Sequence, residues 1–217
     1  MTKRMRTMKK SIVTGIYGSS INFEDLASST VVILDVFHRL SNITRYNGGT
    51  KIPISVAQHS LAIEKMLRQE GASDEVCLLA LLHDSTEAFM GDLVTPLKHH
   101  FPEYVELEDA LFDVIVKSLE VDITFTEEQW AEVKRHDKAI RLAEWIYLND
   151  GQFYDYAGAW SAVYGENPTP DPKYVKALES HINVAPDITM GRLFGRFWHI
   201  VFRILGARNG KEKRLSS

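Results

Sequence analysis

An all-α fold is predicted for this chain, on three observations. Apolar residues recur at helical spacing along most of the sequence. Residues that start helices (Ser55, Ser73, Thr126) and residues that stop them (Gly71, Gly91, Pro96) fall between those runs. The alternating pattern of a half-buried strand is weak throughout. Such a pattern describes helices packed on helices around one core.

Residues 1–24 are basic and then rich in Gly and Ser, and read as an irregular lead-in with a short strand or turn at Ile12–Ile21. A helix is predicted over Ser28–Leu40, with Val31, Leu34, Val36, Phe37 and Leu40 in step. Ser41–Pro53 reads as a loop turning at Asn47-Gly48-Gly49-Thr50. Ser55 caps the next helix and Gln58 stands in capping-box position. That helix runs to about Glu70, with Val56, Ile63, Met66 and Leu67 as its stripe, and His59 falls on the stripe. Ser73-Asp74 opens a helix to about Met90, striped by Val76, Leu79 and Ala80, with His83 and Glu87 on the same face. After Gly91 and Pro96, a helix over Glu103–Leu119 points Val105, Leu111, Val114, Ile115 and Leu119 inward. Thr126 caps a helix from Glu127 to about Leu148, where Asp137 and Glu144 share a stripe with Trp130, Val133, Ile140 and Tyr147. Residues 151–172 read as a loop or short helices, and two further helices are expected over Lys173–Ile182 and Met190–Leu205.

At 217 residues, one domain is the default: a core of about 28–150 with a helical extension over 151–217. The hydrophobic fraction of 45% is enough for a packed core without disulfides. Cys77, the single cysteine, lies among Val76, Leu78 and Leu79 and reads as a core thiol, as expected in a reducing cytoplasm. A net charge of -4 gives no reason to expect nucleic acid as a partner. No signal peptide and no transmembrane segment are expected, because no apolar run follows the basic N-terminus.

Burying charge is unfavourable without a partner. Three separate helices nevertheless carry an imidazole or a carboxylate on the face that should be apolar. His59, His83, Asp84 and Asp137 would form an N2O2 set for one divalent metal ion such as Co2+, Mn2+ or Mg2+, leaving coordination positions for water and phosphate oxygen. Glu87, one turn beyond His83, is placed to orient or deprotonate the attacking water or to bond a leaving group. Asp92 lies just past the helix end and suits a substrate hydroxyl. His136 turns about 100° away from Asp137 and should not face the same ion. His99 and His100, between Pro96 and Pro102, read as an exposed loop.

These residues resemble the HD-domain metal-dependent phosphohydrolases, an all-α helical-bundle family. The stretch Leu81-Leu82-His83-Asp84 with Glu87, followed by Gly91-Asp92 and Thr95-Pro96-Leu97-Lys98, is similar to bacterial 5'-deoxynucleotidases. Arg45-Tyr46-Asn47-Gly48 with Ser55–Ser60 resembles small phage and prophage HD proteins. The resemblance covers about residues 30–150. It implies His59, His83, Asp84 and Asp137 as metal ligands, with Glu87 and Asp92 as catalytic groups. It also implies Arg45 as a substrate contact, with Tyr46 as the aromatic beside it. Asn47 and Lys98 are further candidate substrate contacts from the residues themselves, Lys98 toward phosphate, though a solvated loop lysine is its default reading. Arg45 stands one residue out of the family's spacing, and Tyr46 replaces a tryptophan.

The resemblance implies a cytoplasmic phosphoric monoester hydrolase (host cytoplasm if phage-encoded) that acts on deoxynucleoside 5'-monophosphates. One alternative is a deoxynucleoside triphosphate triphosphohydrolase, with Lys51 or Lys98 supplying extra cationic contacts. Another is a non-catalytic nucleotide-binding module. The tail carries Arg192, Arg196, Arg203, Arg208, Lys211, Lys213 and Arg214 among aromatic and aliphatic residues. It reads as a helix that packs on the body or builds a homodimer or higher oligomer, and alternatively as one lying on a membrane surface.

Overall fold

The computed structural model describes residues 11–149 and 171–215, with backbone only at Thr95, Pro96 and 209–215. Two short strands, β1 (Ile12–Thr14) and β2 (Ser20–Asn22), pair antiparallel with Val13 opposite Ile21. Helices follow: α1 (Ile33–Asn42), α2 (Val56–Gln69), α3 (Asp74–Leu82), α4 (Glu87–Met90), α5 (Thr95–Lys98), α6 (Pro102–Lys117) and α7 (Glu127–Tyr147). Beyond the segment that is not described come α8 (Pro172–Glu179) and α9 (Pro186–Leu215). The fold is an all-α bundle, as the periodicity predicts.

Helix α2 is the hub: α1, α3, α7, α8 and α9 all pack on it. Its start is fixed by the predicted capping box. The Ser55 side chain accepts from Gln58 N–H and the Gln58 side chain from Ser55 N–H. Its end is fixed by Gly71, whose φ of 80° is a left-handed conformation that costs glycine little. Val56–Glu64 is buried without interruption, so α2 is enclosed on all sides over its first turns. Helix α3 is buried from Val76 to Leu82, which is why its sequence is apolar all round rather than striped. Helix α9 lies across α1 and α3, burying Leu193, Phe197, Ile200, Val201 and Ile204. This packing is the first of the roles expected for the tail. No helix among the described residues is long and apolar enough to cross a membrane.

The structure moves several predicted boundaries. The helix expected from Ser28 begins at Ile33, because Leu26–Ser28 forms a 3-10 turn and Thr30 exchanges backbone hydrogen bonds with Ser20. The helix expected to run unbroken to Met90 stops at Leu82, and tightened turns over His83–Thr86 separate it from α4. Val105, expected inward, is 39% exposed, and α6 buries Leu111 and Ile115 instead. The last helix is longer than expected at both ends. His99 and His100 are exposed. His136 turns to α8, with its Nδ1 3.2 Å from Tyr174 Oη. The region expected to be a loop or short helices, 151–172, lies outside the described residues except for 171 and 172.

Asp35 ties the N-terminal hairpin to α1. Its carboxylate accepts Tyr17 N–H at 2.9 Å and Ser19 N–H at 2.8 Å, and the residue is buried. Gly15 is needed beside it, since a Cβ there would lie 2.2 Å from Asp35 Cγ. Burial works to raise the Asp35 pKa, but the Tyr17 and Ser19 amides outweigh it and hold the carboxyl below its ordinary 3.8. A depressed pKa contributes stability that is complete above the ordinary value and fades as pH falls through the folded one. Asp35→Ala should therefore lose about 1–3 kcal/mol at neutral pH, the cost of stranding buried N–H groups. In urea melts, the gap from wild type should narrow as pH falls below about 3.8. A constant gap would mean that the effect comes from packing alone.

Candidate active site

The capping box that starts α2 places His59 one turn into the helix, on its fully buried side. Opposite, on α7, stands Glu144, also fully buried, with Oε1 2.6 Å from His59 Nδ1. A carboxylate only accepts, so the imidazole proton belongs on Nδ1 and the lone pair on Nε2. His59 Nε2 looks toward Asp137 Oδ1 at 3.1 Å and Asp84 Oδ2 at 3.8 Å. His83 repeats the arrangement. Its Nδ1 lies 2.9 Å from the Ala80 carbonyl, so its Nε2 carries the lone pair, 3.1 Å from Asp84 Oδ2. Neither Nε2 has a hydrogen-bond partner among the described residues.

Lone pairs from two imidazoles and two carboxylates therefore converge with no hydrogen between them. Donor atoms of His59, His83 and Asp84 lie within 4.8 Å of one another, and Asp137 flanks them. Such a set is repulsive unless a cation is shared, and its N/O character suits a divalent first-row ion or Mg2+. The charges agree with this. Burial opposes ionised Asp84 and Asp137, but the two histidines, with Arg45 beside Asp84 and Arg141 beside Asp137, hold both carboxyls well below the usual range. Burial and Arg45 push the His59 pKa down, and Glu144 and Asp137 outweigh them to raise it. The site thus favours positive charge, and a proton competes with a metal for His59.

The loop before α2 supplies the rim. Arg45 is buried, with Nε 3.2 Å from Glu144 Oε2 and a terminal nitrogen 3.4 Å from Asp84 Oδ2. Tyr46, Asn47 and Gly48 take left-handed φ values of 56°, 52° and 73° in succession. Two such non-glycine residues in a row are strained and persist only where the surroundings hold them. Here Tyr46 Oη donates to Glu144 Oε2 at 2.5 Å, Tyr46 N–H donates to Asp92 Oδ2 at 3.3 Å, and the ring meets Trp145 edge-on. Asn47 is left exposed.

Glu87 begins α4 beside the cluster and is buried, its Oε2 without a hydrogen-bond partner among the described residues. Burial, and then the negative charge of Asp84 and Asp92, hold its carboxyl well above the usual range. A cleft of about 360 Å³ opens from this point. Of the ten expected site residues, His83, Asp84, Glu87 and Lys98 line it. Arg45, Tyr46, His59, Asp92 and Asp137 connect to that wall through the contacts above. Lys98 donates to Glu108 at 2.8 Å and is not a free cation.

The sequence did not single out the rest of the cleft: Thr86, Glu108, Asp109, Phe112, Asp113, Trp130 and Lys134. Nor did it give roles to Glu144 and Arg141. Glu144 had a signal, because it shares the buried stripe of α7 with Asp137. By holding the His59 tautomer, Glu144 acts on metal affinity without touching the ion. Glu144→Gln is expected to weaken Mn2+ or Co2+ binding by roughly 10–100-fold, as losing such a support commonly does. Titration calorimetry on the folded variant checks this, and unchanged affinity would remove Glu144 from the site.

The 5'-deoxynucleotidase YfbR-like family matches residues 33–123, a span that holds His59, His83, Asp84, Glu87, Asp92 and Arg45. A 5'-deoxynucleotidase of Yersinia pestis (strain Pestoides F) is 30% identical over 160 residues, 64% of this chain and 79% of that protein. An uncharacterised protein of Rhodobacter capsulatus is 28% identical over 206 residues, 91% of this chain and 99% of its own length. The uncharacterised Escherichia coli protein YfdR is 33% identical over 105 residues, 48% of this chain and 56% of that protein. With its His-Asp cluster drawn from α2, the turn that follows α3, and α7, and with this shared sequence, the chain belongs to the YfbR-like 5'-deoxynucleotidase family of HD-domain phosphohydrolases.

Proposed function

We propose that this chain hydrolyses deoxynucleoside 5'-monophosphates to deoxynucleoside and orthophosphate, with one divalent ion held by His59, His83, Asp84 and Asp137. The phosphohydrolase chemistry follows from the family. The choice of a monophosphate rests on one observation, the charge of the cleft. Leaving out Glu87, the proposed proton donor, Asp84, Glu108, Asp109 and Asp113 line it against Lys98 and Lys134, and Lys98 is already paired with Glu108. A single phosphate can sit at the cluster, where the cations are. The β- and γ-phosphates of a triphosphate would extend among carboxylates. Lys51, the other candidate for a triphosphate contact, is exposed and does not line the cleft. The deoxyribose preference rests on the name of the Yersinia relative.

When bound, the metal would screen the phosphate charge and make water a stronger nucleophile. The chain's own groups do the rest. Arg45, anchored by Glu144 and Asp84, has further N–H groups to donate to phosphate oxygens. Glu87, whose carboxyl burial and the charges of Asp84 and Asp92 hold above the usual range, is placed to deliver a proton to the departing 5'-oxygen. Asp92, which already fixes the Tyr46 amide, offers its second oxygen to a sugar hydroxyl. Phe112 and Trp130, with ring centroids 5.1 Å apart, give the base an aromatic wall.

The test is product analysis after incubation with Co2+, Mn2+ or Mg2+ and a panel of ribo- and deoxyribonucleotides. Orthophosphate and nucleoside from deoxynucleoside monophosphates support the proposal, and triphosphate released from deoxynucleoside triphosphates overturns it. Glu87→Gln should cut kcat by roughly 10²–10⁴-fold with metal content unchanged. Lost metal content would instead make Glu87 a ligand. Asp113→Lys should tighten deoxynucleoside triphosphate binding roughly three- to tenfold, a surface-scale electrostatic gain of about 1 kcal/mol. Monophosphate turnover should be little changed. If triphosphate affinity does not move, cleft charge does not set the phosphate number.

A further inference from the structure

A second cleft, of about 480 Å³, lies between α2, the α8–α9 junction and α9. The proposed catalysis uses none of its residues. Leu61, Glu64 and Lys65 come from α2, Ser180 and His181 from the end of α8, and Gly191, Arg192, Gly195 and Arg196 from α9. Its charge is the opposite of the catalytic cleft's. Lys65, Arg192 and Arg196 face one carboxylate, Glu64, which is buried and already bonded by Arg68 as well as by Arg196.

Two features show that the space is not simply unfilled packing. Gly191 and Gly195 stand four residues apart inside α9, where each costs about 1 kcal/mol relative to alanine. A Cβ built on either meets nothing within 4 Å. No contact among the described residues therefore requires glycine at either position, and the absence of both side chains leaves the cleft open. Beside them, both ring nitrogens of His181 are buried without a hydrogen-bond partner among the described residues. An imidazole so placed is costly to leave unpaired. Burial, then Lys65, Arg192 and Arg196, push its pKa down to about 4. A second copy of the chain would bring the same cations and be repelled. A small anion would neutralise them.

We propose that this cleft is a phosphate-binding site, distinct from the catalytic centre, in which Lys65, Arg192 and Arg196 hold a phosphate dianion beside His181. The ligand is free orthophosphate or the phosphate group of a nucleotide. The cleft adjoins the metal cluster's own helix. The Gln58 side chain donates to the carbonyls of His181 at 2.8 Å and Val184 at 3.2 Å, and it also caps the helix that carries His59. Lys65 and Arg192 meanwhile anchor on Ser180, Lys65 through its hydroxyl at 2.9 Å and Arg192 through its carbonyl at 3.0 Å. Their charged ends are thereby directed to one place.

The experiment follows the His181 ring resonances by NMR in histidine-labelled protein with EDTA present. Inorganic phosphate and deoxyadenosine 5'-monophosphate are titrated separately, with sodium chloride at matched ionic strength as the control. A saturable shift with either phosphate, absent with chloride, is expected, together with a higher His181 pKa in the bound state. Response to orthophosphate alone would identify the free ion as the ligand, and response to both would identify a phosphate group in either setting. Lys65→Ala/Arg192→Ala should weaken the response at least tenfold. Gly195→Leu, which has open space to enter, should abolish it without lowering Tm. Neither variant should change nucleotide turnover in phosphate-free buffer. No saturable shift, or an equal shift in both variants, overturns the proposal. Because the readout is binding at His181, it stands apart from whether the substrate assignment is right.

Discussion

The buried hydrogen bond between His59 Nδ1 and Glu144 Oε1 is the interaction on which the rest of the site depends. It joins residues 85 apart in sequence, one on the central helix and one on α7. It also determines which imidazole nitrogen is available to a cation. The other oxygen of Glu144 accepts from Arg45 Nε and Tyr46 Oη, so the same carboxylate holds the substrate-side loop in its strained left-handed turn. Burial favours the neutral form of Glu144, but Arg45 and His59 hold its pKa down at about 2. An ionised, fully buried carboxylate with three donors specifies position tightly. Removing any one donor would leave charge uncompensated where water cannot reach it.

Much of this fold could be read from sequence because its signals were local. Ser55 with Gln58, and Thr126 with Gln129, form the capping boxes that begin the helices carrying His59 and Asp137. The anomaly of polar residues on apolar stripes then marked His59, His83 and Asp137, and the structure brings these together with Asp84. What sequence could not show was where a helix gives way to tertiary demand. Periodicity carries α3 through to Met90, yet it breaks at Leu82. The His83 ring takes the Ala80 carbonyl, and the amides of Ser85, Glu87 and Ala88 bond three residues back. The break turns Asp84 toward the cluster while His83 still faces it. No propensity scale contains that event.

The misreadings along α6 share one cause. Val105, Glu108, Asp109 and Asp113 all lie on α6, a helix that buries only Leu111 and Ile115 fully. A helix held so lightly gives few constraints on which face is inward, so its cleft-lining carboxylates could not be told from ordinary solvated charge. Glu144 shows the opposite case. Its burial was legible from the stripe, but its role was not, because the partner that gives it meaning is on another helix far away in sequence.

The two clefts give the hub helix a further meaning. Helix α2 carries His59 on one side, and Glu64 and Lys65 on another, barely two turns along. Its side toward α7 meets carboxylates that call for a cation, and its side toward α9 meets arginines that call for an anion. The first turns of α2 are tightly packed, and tight packing transmits displacement along a helix rather than absorbing it, so the two faces are coupled. Gln58 makes the link concrete: one side chain caps the start of α2 and holds the His181–Val184 turn. Ordering of that turn by an anion would therefore bear on the frame that presents His59. The chemistry at the metal cluster and the charge at the second cleft share one rigid element, and neither can be altered by mutation at the start of α2 without consequence for the other.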